Sequence, residues 1–181
     1  MQLAPAQLAA HLKQGLQALY VLVGDEPLAH RECLDAIRQA ARLQGFDERN
    51  SLMVERGFNW QQIASYGASI SLFASRRLLE INVPNGKPGV EGGKALQALS
   101  SQPLSDTSVM IILPKLEREA KNSAWFSALE KQAVLINLEE VPASQLPKWI
   151  GVRLAQQGQQ ASAATLEFLA HQVEGNLLAA N

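Results

Sequence analysis

The sequence is short of the residues that build several common kinds of site. Cys33 is the single cysteine among 181 residues, so no intramolecular disulfide and no cysteine-based zinc site can form. No apolar run approaches membrane-spanning length, and the amino terminus lacks a basic segment followed by a long apolar one. The formal net charge is −1, which gives no overall attraction to nucleic acid or anionic lipid. These absences predict a cytoplasmic protein with no membrane partner.

What the sequence does contain is typical of a globular α/β protein. Apolar residues make up 47% of the chain and charged residues 18%, enough for one core, or for a main domain and a small one. Apolar segments that alternate with helical patterns predict βαβ units around a parallel sheet. The predicted strands are residues 18–23, 51–54, 77–83, 109–113 and 134–136. Residues 84–89 and the following Gly92 and Gly93 are predicted to form a surface loop.

The alternating pattern ends near residue 141. Beyond Pro142 no strand is predicted, and two helices follow, at residues 148–156 and 162–173. We therefore expect an α/β domain over residues 1–141 and a small helical domain over residues 142–181. Another helix is predicted to begin at Asn176, and the sequence stops within its first turns, which predicts a fragment of a longer protein.

The segment after the first apolar strand is where a protein of this class would bind phosphate. A phosphate loop needs Gly-x-x-x-x-Gly-Lys-Ser/Thr, in which backbone amides wrap the phosphates and the lysine meets their charge. Counting from Gly24, the last three of these positions hold Ala29, His30 and Arg31. Asp25 and Glu26 add negative charge where the anion would lie. The predicted α/β architecture therefore suggests an NTPase, whereas the residues argue against nucleotide binding.

Other catalytic signatures are also missing from the sequence. The three histidines, His11, His30 and His171, are far apart, with no Gly-x-Ser-x-Gly turn and no His-Glu-x-x-His pair. Residues distant in sequence could still meet in the fold, but no pattern indicates that they do. We predict no catalytic, cofactor-binding or metal-binding residues.

Residues 69–77 form the most unusual connection in the chain. They lie between a helical pattern and an apolar strand, yet they include the large apolar side chains of Ile70, Leu72 and Phe73. Connections usually run over the protein surface. These side chains therefore either fold back into the core or point outward as anchors for another protein. The pattern alone favours the core, because most apolar residues near strands are buried.

Six spaced motifs together resemble a known family. In order they are residues 20–27 (YVLVGDEP), the helix that follows, and residues 71–76 (SLFASR), 122–129 (NSAWFSAL), 146–149 (LPKW) and 174–178 (EGNLL). The whole chain resembles the delta subunit of the bacterial DNA polymerase III clamp loader, as found in its proteobacterial branch. The resemblance implies an AAA+-like domain that has lost its nucleotide site, a small helical second domain, and a third collar domain that this chain does not contain.

The resemblance also implies a function in DNA replication. The delta subunit is not an enzyme by itself and needs no cofactor; it binds the ring-shaped sliding clamp and helps to open it. The clamp-binding pair falls on Leu72 and Phe73, with Ile70 beside them, although Ala68 stands where clamp-binding motifs often carry glutamine. The other implied partners are the remaining clamp-loader subunits, through the collar, and DNA within the full complex. The alternative hypothesis is an NTPase of α/β type with an atypical phosphate loop.

Overall fold

The computed structural model describes residues 1–68 and 76–180, and within them the chain divides into two compact units. The first comprises Met1–Asp25 and Ala29–Leu138, and the second comprises Glu26–Leu28 and Glu139–Asn181. Glu26–Leu28 thus separates from its sequence neighbours and groups with the carboxyl-terminal part of the chain. None of the helices within the described ranges is long and apolar enough to cross a membrane.

A parallel sheet forms the centre of the first unit. Its strands, so far as the described residues show, are β1 (Gln2–Leu3), β2 (Leu19–Gly24), β3 (Glu48–Met53), β4 (Arg77–Asn82), β5 (Thr107–Leu113) and β6 (Val134–Leu138), in the spatial order β1-β6-β2-β5-β4-β3. Every pairing among them is parallel. The predicted parallel α/β class is therefore confirmed. β1 was not predicted, because two residues are too few to show a pattern.

Helices cover both faces of this sheet. They are α1 (Leu8–Leu12), α2 (Pro27–Leu43), α3 (Gln61–Ala68), α4 (Gly89–Ser101), α5 (Arg118–Lys121) and α6 (Ala124–Gln132), with a 3₁₀ turn at Pro5–Gln7 before α1. Successive residues of a strand point to opposite faces, so β2 contributes side chains to two hydrophobic cores, one on each face of the sheet. Val21 packs with Ile63, Leu96 and Leu129 on one face, whereas Tyr20 packs with residues of α1 and α2 on the other.

The predicted loop at residues 84–93 is wrong in its second half. α4 begins at Gly89, and both Gly92 and Gly93 are buried inside it. The ring of Trp60 lies against Gly92, and that of Trp125 lies against Gly93. These glycines therefore mark a helix packed closely under two aromatic rings, and not a loose surface segment.

The second unit is helical, as the resemblance implies. It contains α7 (Leu146–Gln156) and α8 (Ala163–Val173), with 3₁₀ turns at Ala143–Gln145 and Leu177–Ala180. Ser162 caps α8, because its hydroxyl oxygen accepts a hydrogen bond from the Thr165 N–H at 3.2 Å. The buried core of this unit consists of Leu28, Leu146, Ile150, Ala170, Val173 and Leu177. Its inclusion of Leu28 explains why Glu26–Leu28 groups with this part of the chain.

Candidate functional site

The connection from β2 to α2 is too short to form a phosphate loop. β2 ends at Gly24 and α2 begins at Pro27, so only Asp25 and Glu26 lie between them. A phosphate loop has about four residues between its two glycines, and their amides surround the phosphate. Here Ala29, which stands at the second glycine position, already lies within α2. This connection leaves no loop backbone to wrap an anion.

Gly24 has a structural reason to be glycine. Its φ angle is +140°, a conformation that residues with a side chain rarely adopt. A Cβ atom at this position would also overlap the carbonyl oxygen of Leu138, at the end of the neighbouring strand β6. The residue that looks like the first glycine of a phosphate loop is therefore required by the close approach of two strands.

The two acidic residues of the connection accept hydrogen bonds from the backbone. In the first unit, Asp25 Oδ1 accepts from the Lys115 N–H at 3.0 Å, which ties the end of β2 to the segment after β5. In the second unit, Glu26 is 3% exposed, and its Oε1 accepts from the Leu28 N–H at 3.2 Å. Backbone N–H groups are the donors by which a helix start or a loop holds phosphate. Here the acceptors of the two N–H groups are carboxylates of the protein itself.

The start of α2 lacks the lysine and the hydroxyl residue that would complete a nucleotide site. His30 and Arg31 stand at the lysine and hydroxyl positions, as the sequence indicated. Within residues 1–68 and 76–180, no three His, Cys, Asp or Glu side chains come together as a possible metal site. The described geometry thus offers no phosphate loop and no cluster of metal ligands.

The predicted clamp-binding residues Ile70, Leu72 and Phe73 lie outside the described residues. The structure does describe both sides of that segment, namely the end of α3 at Ala68 and the start of β4 at Arg77. In the parallel register Arg77 lies opposite Thr107, the first residue of β5. β4 therefore begins at the amino edge of the sheet, whereas Gly24 lies at the carboxyl edge. The start of β4 and Gly24 are thus at opposite edges of the sheet.

Two consecutive arginines hold the start of β4 to the ends of two helices. Arg77 is 8% exposed, and its Nη2 donates to the carbonyl oxygen of Tyr66, in the last turn of α3, at 2.6 Å. Arg76 is exposed, and its Nη1 donates to the Gln44 carbonyl, just beyond α2, at 3.2 Å. Its guanidinium carbon also lies 5.5 Å from the centre of the Phe46 ring. A cation is favourable at a helix carboxyl end because the last carbonyls lack partners within the helix.

Sequence reasoning did not find these arginine contacts. Arg77 was recognised as the start of a strand, but its partner Tyr66 lies eleven residues earlier on a different element. The available signal was a charged residue at the start of an apolar strand, because a charge that becomes buried there needs a partner. The same signal marks Glu80, a carboxylate in the middle of β4.

Comparisons with known proteins agree with the resemblance drawn from the motifs. The family described as DNA polymerase III, delta subunit, matches residues 20–139. DNA polymerase III subunit delta of Escherichia coli (strain K12) is 35% identical over 179 residues, which are 99% of this chain and 52% of that protein. The Haemophilus influenzae subunit is 35% identical over 178 residues, which are 97% and 52% of the two chains. The chain therefore spans about half the length of these curated relatives.

A solved structure with the same fold is the Bacillus subtilis DNA clamp loader delta protein. It superimposes with a TM-score of 0.75 at 19% sequence identity, over 97% of this chain and 54% of the other. At this level of identity the likeness concerns the fold. It confirms the predicted architecture of a parallel sheet flanked by helices and followed by a helical unit.

Proposed function

Because this chain belongs to the DNA polymerase III delta subunit family, we propose that it binds the DNA sliding clamp through Leu72 and Phe73 and helps to open the ring. Ile70 is proposed to lie at the margin of the same contact. The observation that carries this proposal is the SLFASR sequence of residues 71–76, which places two large apolar side chains in a connection between a helix and a strand. Apolar side chains at such a position gain free energy when they enter a partner's pocket.

The role proposed for the chain is binding without catalysis. The connection after β2 is two residues long, and Asp25 accepts a backbone hydrogen bond within it. These features argue against the alternative of an NTPase, because they remove the loop and add charge of the wrong sign. Clamp binding by this chain should therefore require neither ATP nor a metal ion.

Leu72→Ala and Phe73→Ala test the binding proposal directly. Loss of an interface anchor typically costs about 2–4 kcal/mol, which corresponds to about 30- to 1000-fold in affinity. We expect each variant to weaken binding to the cognate clamp by an amount in this range, measured by surface plasmon resonance, and to keep the wild-type melting temperature. If the melting temperature falls while affinity per folded molecule is unchanged, the pair belongs to the core and the proposal is wrong.

The chain offers matched controls for these truncations. Phe168 is 63% exposed and Leu178 is 46% exposed, and both lie in the second unit. Phe168→Ala and Leu178→Ala remove the same side-chain types from exposed positions. They should leave clamp affinity within about twofold of wild type, because single exposed apolar residues are common on protein surfaces. An equal loss in all four variants would indicate non-specific adhesion.

Ring opening requires more than binding. A ligand shifts an equilibrium toward an open state only if it binds that state better than the closed one. The test is to load labelled clamp onto nicked circular DNA, add the chain without ATP, and follow release of the clamp by gel filtration. We expect faster release than with Leu72→Ala. Tight binding without faster release would contradict ring opening and leave the binding proposal intact.

The remaining partners are proposed to bind the part of the delta subunit that lies outside the match between this chain and its curated relatives. The curated relatives are about twice as long as this chain. We assign association with the other clamp-loader subunits to that additional length, and contact with DNA to the assembled loader. The chain should therefore bind free clamp in a pull-down and fail to retain the other loader subunits.

A further inference from the structure

We propose that Arg77 is a positioning residue for clamp binding, which acts without touching the clamp. The proposal rests on the proposed function, since it concerns how the segment that carries Leu72 and Phe73 is held. Its basis is the hydrogen bond from Arg77 Nη2 to the Tyr66 carbonyl oxygen at 2.6 Å, which joins the two sides of that segment.

The backbone of Arg77 is fixed in the sheet. Its N–H donates to the Asp106 carbonyl at 2.8 Å, and the residue is paired with Glu48 of β3 on one side and Thr107 of β5 on the other. The side chain is 8% exposed, so it is held within the protein. One end of the connection is therefore anchored to the rigid centre of the first unit.

The guanidinium extends this anchor to the other end of the connection. Tyr66 is in the last turn of α3, so the guanidinium lies at the carboxyl end of this helix. A hydrogen bond from a charged donor is stronger than one between neutral groups, and a cation also interacts favourably with a helix carboxyl end. The Arg77 side chain thus sets where α3 ends relative to β4.

Fixing both ends of a segment improves its binding by reducing the freedom that is lost when the complex forms. Without the guanidinium, the hydrogen bond that joins the last turn of α3 to the start of β4 would be lost. The apolar anchors would still be present, but ordering the segment against the clamp would cost more free energy. Loss of Arg77 should therefore weaken clamp binding only when Leu72 and Phe73 are present to make the contact.

A double-mutant cycle with Arg77→Met and Leu72→Ala/Phe73→Ala tests this mechanism. Methionine fills much of the buried space of the arginine without a donor. We expect Arg77→Met to weaken clamp affinity by roughly tenfold in the wild-type background, the effect of losing one charged hydrogen bond. In the Leu72→Ala/Phe73→Ala background the same substitution should change affinity by less than about twofold, because the anchors it positions are already gone.

Arg38→Met serves as the stability control for this cycle. Arg38 pairs with the buried Glu80 on the α2 side of β4, so its loss should lower the melting temperature without disturbing the contact between Arg77 and Tyr66. Clamp affinity per folded molecule should be unchanged. Arg77→Lys keeps the charge at this position and should retain more clamp affinity than Arg77→Met. It replaces Arg77→Met in the double-mutant cycle if the methionine variant does not fold.

The possible results separate this inference from the proposed function. If Leu72→Ala/Phe73→Ala leaves clamp affinity unchanged, the proposed function fails and the role of Arg77 fails with it. If that variant weakens binding but Arg77→Met has no effect, or has the same effect in both backgrounds, only the positioning role is overturned. A fall in affinity for Arg38→Met as large as that for Arg77→Met would also overturn it, because general destabilisation would then explain both.

Discussion

Arg38 and Glu80 are joined by two parallel hydrogen bonds across the interface between α2 and β4. Arg38 Nε donates to Glu80 Oε1 and Arg38 Nη2 donates to Glu80 Oε2, both at 2.8 Å. The Glu80 side chain is 2% exposed, and Arg49 Nε lies 3.7 Å from Glu80 Oε1. The hydrogen bond with Glu80 raises the pKa of Arg38, so this arginine stays charged throughout the working pH range.

Arg38→Met should destabilise the fold markedly, because it leaves a buried carboxylate with a weaker partner. Breaking a buried ion pair from one side typically costs about 3–5 kcal/mol. We expect about 3 kcal/mol in urea unfolding, the lower end, since Arg49 remains nearby. Arg38→Met/Glu80→Met should recover much of this loss, because no buried charge is left. A cost no larger than that of Arg42→Met, at an exposed position of α2, would contradict this prediction.

Gly92→Ala and Gly93→Ala should have opposite effects although they are neighbours in α4. A Cβ atom at residue 92 would overlap the ring of Trp60, so we expect a loss of about 1–3 kcal/mol. A Cβ atom at residue 93 would lie 3.5 Å from Trp125 Cδ1, an ordinary contact. Alanine there should stabilise the helix by up to about 1 kcal/mol. Thermal melts of the pair check this, and equal shifts would contradict it.

The thiol of Cys33 should react slowly with disulfide reagents in the folded protein, and it should lower the free energy of unfolding at high pH. Burial, followed by the charge of Glu32, raises the pKa of its thiol to about 11. An unfolded chain releases this proton near pH 8.5, so thiolate formation favours the unfolded state between about pH 8.5 and 11. The contribution of Cys33 to stability is therefore complete below about pH 8.5 and is lost as pH rises toward 11.

Two measurements check the behaviour of Cys33. Thiol titration with a disulfide reagent should be slow in the folded protein and fast in denaturant. The difference in unfolding free energy between wild type and Cys33→Ala should change across this pH window, because the variant has no thiol to titrate. Rapid reaction of the folded protein would contradict the burial of Cys33.

Magnesium ATP should not bind this chain with micromolar affinity. The connection after β2 is short, and Asp25 accepts the N–H of Lys115. Isothermal calorimetry should therefore detect no saturable heat. His30→Lys supplies the missing lysine, and we expect it to bind no better, since the loop that would bring phosphate to it is still absent. A micromolar dissociation constant for the wild type would favour the NTPase hypothesis.

The sequence predicted the central strands well because their surroundings are simple. β2 and residues 109–113 of β5 are buried on both faces, so the sequence shows each of them as a continuous apolar run. β3 was predicted only over residues 51–54, because it lies at the sheet edge and alternates between partly buried and exposed residues. Its polar first half, Glu48–Asn50, has no strand signal of its own.

The errors arose where distant residues determine the structure. Gly92 and Gly93 have the composition of a loop, and only the rings of Trp60 and Trp125 explain why a helix needs them. The contact between Arg77 and Tyr66 likewise depends on how α3 returns to the sheet. The missing phosphate-loop pattern is visible in the sequence, since finding it requires no more than counting residues from Gly24.

The fit of Gly24 against Leu138 also bears on whether nucleotide binding could be built into this chain by mutation. A working loop would need several inserted residues, removal of the carboxylate at Asp25 and a new lysine. Inserting residues after Gly24 would disturb the close packing of β2 on β6, and each of the other changes is useless without the insertion. Changing a single residue would therefore not create a nucleotide site at this position.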